Sequence, residues 1–324
     1  MAINIATNRL KELHMSTRQA PLYINNTKIA REIRYGIEFG DHEYLYSNSK
    51  DIKLYYTISC DDDSITHCDY IDMMIVDAVY SLIRSNRTRI TEAMILRTLS
   101  GDPKQCCRQE MKLEIRKRLN RLSKINIDIF CDDEMVDRGL EYEEGSFDGP
   151  LLPFEDNGNG AYLVEYLPMY GYMEKVSQMI LIPTALLNLT VDGHKAVPDS
   201  LKNLALKHYL LQRIHYAFYQ LNNNANPTDL MKGINASTIY YYRKPHEKNA
   251  KYKGMLIDLG LATPDMAPSE LNKRKNLIHK NVVRILDALK SLNYIGGYSF
   301  KKGNDNQIIG IEFTKGSKKY IATP

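Results

Sequence analysis

The feature that most constrains the fold is the order in which helical and strand-like hydrophobic patterns follow one another in the first half of the chain. Apolar residues recur at helical spacing in residues 70–84, 92–99 and 104–123. Residues 125–130 then alternate apolar and polar side chains, and residues 161–166 are predicted to form the return strand. Three helices followed by two strands indicate a helix-turn-helix closed by a β-hairpin wing.

The second half repeats this order without repeating the sequence. Its predicted elements are helices at 201–221, 228–233, 253–259 and 268–292, and strands at 237–242, 294–300 and 307–313. The last two strands flank a turn that contains Gly303 and Asn304, which suit a tight hairpin. We therefore expect an α+β protein with two winged-helix domains in tandem, each a helix-turn-helix plus a β-hairpin wing.

Segments of different charge and pattern define the predicted domains. Residues 1–55 have weak periodicity and are predicted to form a basic N-terminal arm. Residues 56–191 would form the first winged-helix domain, its wing enlarged by an acidic segment at 132–148. A linker at 192–200 would lead to the second, basic winged-helix domain at 201–324. The basic residues of the arm include Arg9, Lys11, Arg18, Lys28, Arg31 and Arg34.

The formal net charge of +4 conceals a strong asymmetry between the two halves. Residues 201–324 contain 20 Lys and Arg against 8 Asp and Glu, whereas residues 1–200 contain 23 against 31. Uncompensated positive charge destabilises a compact domain by self-repulsion, and a polyanionic partner offsets that cost. The sequence therefore predicts double-stranded DNA as the partner of the second domain. The alternative interpretation is a solvated surface with extra lysines.

The helix predicted at 268–292 presents the face that would meet DNA. On a helical wheel its core stripe is centred on Val282, and the opposite side is polar and almost purely basic. Lysine and arginine pair with phosphates or guanine, and asparagine reads adenine. The DNA-binding residues predicted here are Lys273, Asn276, Lys280 and Arg284, with Lys301 and Lys302 at the wing tip.

The third helix of the first domain is a less uniform candidate. Lys117 and Arg121 lie opposite its core stripe and are predicted to contact DNA, but Glu110 and Leu113 lie on the same side. With the acidic segment close by, this face suits a protein partner equally well. Both interpretations stay open.

The sequence lacks the motifs on which common catalytic sites are built. It has no GxxxxGK[ST] phosphate loop, no GxSxG elbow and no HExxH pair, so we predict no enzymatic activity and no cofactor. A nicking role for the three tyrosines at 240–242 is disfavoured because no His-x-His pair is present to hold a metal. The five cysteines include no CxxC, which disfavours a zinc site, a Cys60/His67/Cys68 cluster included, and we predict no metal.

Hydropathy and cysteine usage bear on the compartment. No segment approaches the ~18 apolar residues of a membrane-spanning helix, and the N-terminus lacks the pattern of a signal peptide. The odd number of cysteines fits reduced thiols. We therefore expect a cytoplasmic protein that has no membrane partner.

Several segments resemble replication initiator proteins of plasmids and related mobile elements, which carry tandem winged helices. The resemblance is carried by 77–82 (Asp-Ala-Val-Tyr-Ser-Leu), the capped helix ending at Gly101, 209–214 (Tyr-Leu-Leu-Gln-Arg-Ile), 285–290 (Ile-Leu-Asp-Ala-Leu-Lys) and 309–313 (Ile-Gly-Ile-Glu-Phe). It covers most of residues 70–313, as a pattern rather than a strict motif.

The resemblance implies a non-catalytic initiator that binds repeated DNA sites at a replication origin. In such proteins the second winged helix usually grips the repeats, while the first serves dimerisation and a second DNA contact. The partners implied are therefore origin DNA, host replication proteins such as a helicase loader, and a second copy in a homodimer. The acidic segment and the basic arm depart from this pattern. Two alternatives stay open: a winged-helix transcriptional regulator, and a phage or mobile-element adaptor that binds protein.

Overall fold

The computed structural model describes residues 21–45, 53–140, 147–156, 160–164, 166–223, 238–242, 254–303 and 306–317. The chain divides into two compact units, Thr17–Leu181 and Ile182–Thr323, which we call the N-terminal and C-terminal units. Both contain helices and antiparallel strand pairs, in agreement with the α+β class expected from the sequence. No helix in the described part of the chain is long and apolar enough to cross a membrane.

The N-terminal unit combines helices with three small sheets. Its described helices are α1 (Lys28–Arg34), α2 (Tyr70–Arg84), α3 (Glu92–Ser100), α4 (Gln109–Leu122), α5 (Asp132–Asp137) and α6 (Pro168–Lys175). Its described strands are β1 (Leu22–Asn25), β2 (Gly40–Leu45), β3 (Lys53–Cys60), β4 (Arg89–Ile90), β5 (Ile125–Phe130), β6 (Phe147–Pro150), β7 (Glu155–Asp156), β8 (Tyr162–Leu163) and β9 (Met179–Ile182). The sheet orders are β2-β3-β5-β6, β4-β8-β7 and β1-β9.

The three consecutive helices predicted for the first half of the chain are confirmed, and their ends have local causes. α2 begins at a capping box, in which the side chains of Asp69 and Asp72 each accept a hydrogen bond from the other's backbone amide. α3 begins where Thr91 Oγ1 accepts a backbone hydrogen bond at 3.2 Å. It ends at Gly101, whose φ of 69° is a left-handed conformation that glycine adopts without strain.

The strand at 125–130 is confirmed, but its predicted partner is wrong. β5 lies inside the four-stranded sheet, hydrogen-bonded to β3 on one edge and to β6 on the other. The segment 161–166, predicted as its return strand, instead contributes β8, which pairs with β4 and β7. Alternation in a sequence marks a strand and its buried face, but the strand's partners are set by tertiary packing.

The acidic segment 132–148, predicted to enlarge a wing, is part of the fold where it is described. Both α5 and the start of β6 arise within it. Glu134 is buried, accepts a hydrogen bond from the Tyr172 hydroxyl at 2.7 Å and pairs with Arg138 at 2.8 Å. A charge run therefore contributes a buried, paired carboxylate here, while residues 141–146 lie outside the described residues.

The described part of residues 1–55, predicted as a basic N-terminal arm, is folded into the N-terminal unit. β1, α1 and β2 lie within it, and Leu22 is fully buried. Arg34 is only 1% exposed and pairs at 2.8 Å with the equally buried Asp77 of α2. Arg34 is thus a core residue, held there by its ion pair with Asp77. Counting charges along the segment does not reveal this pair, because Asp77 lies far from Arg34 in the sequence. The rest of the arm lies outside the described residues.

The described part of the C-terminal unit contains a three-stranded antiparallel sheet, a short two-stranded sheet and several helices. Its described helices are α7 (Thr184–Leu187), α8 (Leu201–Asn223), α9 (Met255–Asp258) and α10 (Pro268–Ser291). Its described strands are β10 (Thr190–Val191), β11 (His194–Lys195), β12 (Thr238–Tyr240), β13 (Ile295–Lys302) and β14 (Ile308–Lys315). Residues 192–200, predicted as a linker, lie inside this unit. The helix predicted at 228–233 lies outside the described residues.

The core of the C-terminal unit fixes the orientation of α10. Phe218 of α8 packs edge-on against Tyr294, which directly precedes β13, and against Phe313 of β14. Asn281 of α10 donates a hydrogen bond to Asn203 of α8 at 2.9 Å. With one side of α10 held against α8 and the sheet, its other side faces solvent.

Candidate nucleic-acid interface

Burial divides α10 into two sides, as the helical wheel predicts. Val282, Ile285, Leu286 and Leu289 are fully buried. The outward residues at spacings of three, four and seven lie on the opposite side. We call this outward set the cationic ridge: Lys273, Asn276, Leu277, Lys280 and Arg284, all of them exposed.

The cations of the cationic ridge form few ion pairs with acidic side chains in the described residues. Lys273 lies 3.3 Å from Glu270, one turn before it, and remains 73% exposed. Lys280 and Arg284 pair with no acidic side chain among the described residues. By helix geometry the ridge runs for about 17 Å, the length of three turns. It therefore presents a line of exposed positive charge to solvent.

The hairpin carries the other two predicted cations, and the structure distinguishes them. Lys301 lies 3.3 Å from Glu312 on the neighbouring strand, and its ammonium is 5.7 Å from the Tyr240 ring centroid. The hydrogen bond with Glu312 and the nearby Tyr240 raise the pKa of Lys301. Lys302 is exposed and follows an irregularity in the β13–β14 register. Lys302 is thus the freer of the two.

A cluster that the sequence analysis did not identify holds the hairpin against α10. His279 Nδ1 lies 2.8 Å from the Tyr241 hydroxyl, and its ring is 4.9 Å from that of Phe300 on β13. Burial and the nearby Lys275 lower the pKa of His279, so the neutral ring is favoured. Tyr298 of β13 donates a hydrogen bond to Asp287 at 2.7 Å.

The sequence signal for this cluster was available but weak. His279 flanks the core stripe of α10, and aromatic residues alternate along β13. Alternation shows that Tyr298 and Phe300 share one side of their strand, but it does not show which helix they meet. Their contacts fix the position of the hairpin beside the ridge, so they are positioning residues.

The corresponding face of α4 in the N-terminal unit differs. Arg121, predicted to contact DNA, lies 3.4 Å from the buried Asp72 and donates a hydrogen bond to the His67 carbonyl. It is therefore engaged within the fold. Lys117 is exposed, as is Leu113. Of the two residues predicted here, Lys117 alone is presented to solvent without an acidic partner in the described part of the chain.

Metal-binding chemistry finds no support in the described residues. They contain no group of three or more His, Cys, Asp or Glu side chains arranged to hold an ion. All five cysteines are free thiols, and Cys68 is buried, which raises the pKa of its thiol well above the usual value.

Comparison with solved structures finds chains whose similarity to this one is low. No protein-family model and no curated protein matches the sequence. Two crystal structures of domains 2 and 3 of RctB, one a selenomethionine derivative, align with 88% of this chain and with 93% and 96% of theirs. For both, the TM-score is 0.36 and the sequence identity 10%.

Proposed function

We propose that the C-terminal unit is a winged helix that binds double-stranded DNA. The support from topology is the path of the chain through the sheet. β12 follows the first long helix, α9 and α10 come next, and the β13–β14 hairpin returns so that β14 pairs with β12. In this proposal α9 and α10 are the helix-turn-helix and the hairpin is the wing.

The N-terminal unit has a related path, which supports a tandem arrangement. β4 lies between α2 and α3, and it pairs with β8, which forms a hairpin with β7. In the four-stranded sheet, β2 and β3 precede the three helices in the chain, while β5 and β6 are an insertion between α4 and the wing. We propose that this unit is the first winged helix, with β7 and β8 as its wing.

The cationic ridge is the observation that carries the DNA-binding proposal. A helix fits the major groove of B-DNA, where Asn276 would read adenine and Arg284 or Lys280 would read guanine or hold phosphates. Lys302 on the wing would contact the flanking backbone. Contacts to phosphate give affinity and position, while contacts to base edges give specificity.

We further propose that the protein is a non-catalytic replication initiator that acts at repeated origin sites. The support is the resemblance of segments such as 209–214 and 285–290 to plasmid initiators, together with the exposed ridge. Several copies on adjacent repeats would bend the duplex at a cost of roughly a few kcal/mol, offset by the added contacts. Host proteins such as a helicase loader would then perform the chemistry.

The salt dependence of DNA binding tests the ridge. Changing Lys280→Ala and Arg284→Ala should weaken binding and reduce the slope of log K against log salt by nearly two units, because each phosphate contact contributes about 0.9. A matched control, Lys202→Ala with Lys290→Ala, removes two exposed cations of the same unit outside the ridge. An equal loss of slope in both variants would show that the ridge is not the DNA face.

Two experiments separate the initiator from its rivals. Footprinting on DNA surrounding the gene should reveal regularly spaced protected repeats. A plasmid whose only origin contains those repeats should replicate when the protein is supplied. Protection without replication would favour a transcriptional regulator, and failure to bind heparin at low salt would favour a protein-binding adaptor.

A further inference from the structure

The outward face of the four-stranded sheet has an unusual composition. The register places its outward residues in three adjacent rows across the strands. The rows are Glu43–Tyr55–Phe130, Asp41–Thr57–Asp128–Asp148 and Ser59–Asn126–Pro150. We call these rows the acidic face. They contain four carboxylates and two aromatic rings, and the same face continues past Glu43 and Tyr55 with the pair Leu45–Lys53, which adds one lysine.

The acidic face lies on the solvent side of the sheet. The residues that alternate with its members, such as Tyr56 and Ile127, are buried beneath it. Tyr55 is 39% exposed and its cross-strand partner Phe130 is 48% exposed. An exposed aromatic pair beside several carboxylates is typical of a surface that meets a partner.

The charges on this face work against the sheet that carries them. Asp128 and Asp148 stand directly opposite each other on neighbouring strands. Like charges in that arrangement destabilise a strand pair. Thr57 donates a hydrogen bond to Asp41 at 2.7 Å and Tyr55 donates one to Glu43 at 3.4 Å, whereas Asp128 and Asp148 pair with no cation among the described residues. A cationic partner would relieve the repulsion.

The cationic ridge has the complementary chemistry. It places three cations around Leu277, which is 72% exposed. Its length of about 17 Å compares with a width of about 14 Å for four strands. We propose that the acidic face binds the cationic ridge of a second copy of this chain, with Leu277 against Tyr55 and Phe130.

This contact has two consequences. It is heterologous, because two different surfaces meet, so copies add head to tail into short open chains. It also occupies the residues that the proposed function assigns to DNA, so duplex DNA and a second copy compete for the ridge. A surface of this size belongs among weak, transient contacts, below about 1,200 Å². Its strength falls steeply with salt.

Sedimentation velocity of the full chain tests the proposal. At low salt the wild-type protein should form dimers and larger species as its concentration rises. These oligomers should dissociate in about 0.5 M salt, because the charges are then screened within a few ångströms. Both the face variant, Glu43→Gln with Asp128→Asn and Asp148→Asn, and the ridge variant, Lys280→Ala with Arg284→Ala, should stay monomeric. A charge-matched control, Glu110→Gln with Glu155→Gln and Asp156→Asn, should associate like the wild type.

Mixing the two variants gives the decisive result. The face variant keeps an intact ridge and the ridge variant keeps an intact face, so together they should form a heterodimer that cannot grow further. No heterodimer, or undiminished association of the face variant alone, overturns the proposal. DNA binding by the face variant should be at least as tight as that of the wild type, because its ridge is intact and no second copy competes for it. Failure of this contact is therefore distinguishable from failure of the DNA-binding proposal.

Discussion

Two long helices, α4 of the N-terminal unit and α10 of the C-terminal unit, use their positive charge in opposite ways. On α4, Arg116 pairs with Glu92 at 2.8 Å. Arg118 reaches Asp69 at 2.8 Å and Asp72 at 2.7 Å, so it holds both members of the capping box that starts α2. On α10, by contrast, the ridge cations point into solvent. The arginines of α4 form ion pairs that stabilise the N-terminal unit, whereas the cations of α10 are exposed to solvent.

The difference shows that a count of basic residues does not measure a binding surface. An arginine becomes structural when a buried carboxylate lies within its reach, because burying that carboxylate alone would be costly. Asp72 provides such a site in the N-terminal unit. Where no buried carboxylate lies within reach, as for Lys280 and Arg284 of α10, the cations stay free for a partner.

The largest expected effect comes from breaking the buried pair of the N-terminal unit. Arg34→Met would leave Asp77 charged, buried and without its cation, although the Tyr170 hydroxyl still donates to it. We expect the free energy of unfolding to fall by about 3–5 kcal/mol. Urea unfolding followed by circular dichroism measures this.

The double variant Arg34→Met with Asp77→Leu is the informative companion. Replacing a buried ion pair by apolar residues of similar volume is often close to neutral, so most of the lost stability should return. If Arg34→Met alone unfolds no more easily than the wild type, the cations of this region are not structural and the contrast between the units fails.

Acid should destabilise the C-terminal unit through a buried histidine. Burial lowers the pKa of His215 in α8 to about 4. Because this is below the ordinary value of ~6.5, the unfolded chain takes up the proton first as the pH falls. The stabilisation is complete above about pH 6.5 and is lost progressively down to about pH 4, at a total of about 3 kcal/mol.

The measurement is hydrogen exchange in α8 across that pH range. His215→Gln should flatten the dependence, whereas His194→Gln, at an exposed position, should leave it unchanged. The same steep dependence in the His215→Gln variant would assign the acid sensitivity to other groups.

Sequence patterns predicted the elements better than their partners. The spacing of apolar residues located α2, α3, α4 and α10, and turn residues located the β13–β14 hairpin. These signals are local. The partners of β5 and the burial of Arg34 depend on residues distant in the chain, so no local pattern contains them.

The candidate site was predictable to the same extent. The wheel placed Lys280 and Arg284 on the solvent side of α10, because that depends only on the position of the core stripe. It placed Arg121 in the same way, yet Arg121 bends back to Asp72. A helical wheel gives the direction of the Cα–Cβ bond. The end of a long side chain can still turn towards any acceptor that the tertiary structure places within its reach.

A pair of neighbours on α4 sharpens the comparison further. Arg118→Ala should lower the free energy of unfolding by about 2 kcal/mol, because charge-assisted hydrogen bonds to Asp69 and Asp72 are lost. It should leave the salt slope of DNA binding unchanged. Lys117→Ala, one residue away and exposed, should leave thermal stability unchanged. A reduced salt slope in Arg118→Ala, without loss of stability, would contradict the structural role.

The smallest expected effect distinguishes the two lysines of the C-terminal hairpin. Lys302→Ala should reduce the salt slope of DNA binding by about 0.9, the value for one phosphate contact. Lys301→Ala should reduce it by less, since Glu312 lies 3.3 Å from that ammonium and already neutralises part of its charge, so that Lys301 releases fewer counterions from the DNA. Salt titrations of both variants on one duplex measure the difference.

Removing the acidic partner provides the stricter version of this last test. In a Glu312→Gln background Lys301 is released, so Lys301→Ala should there cost nearly as much slope as Lys302→Ala. The C-terminal unit would then repeat, within one hairpin, the contrast between a paired and a free cation that separates α4 from α10. If Lys301 and Lys302 contribute equally with Glu312 intact, an ion pair on the surface does not withhold a lysine from DNA. The contrast between the units would then depend on burial alone.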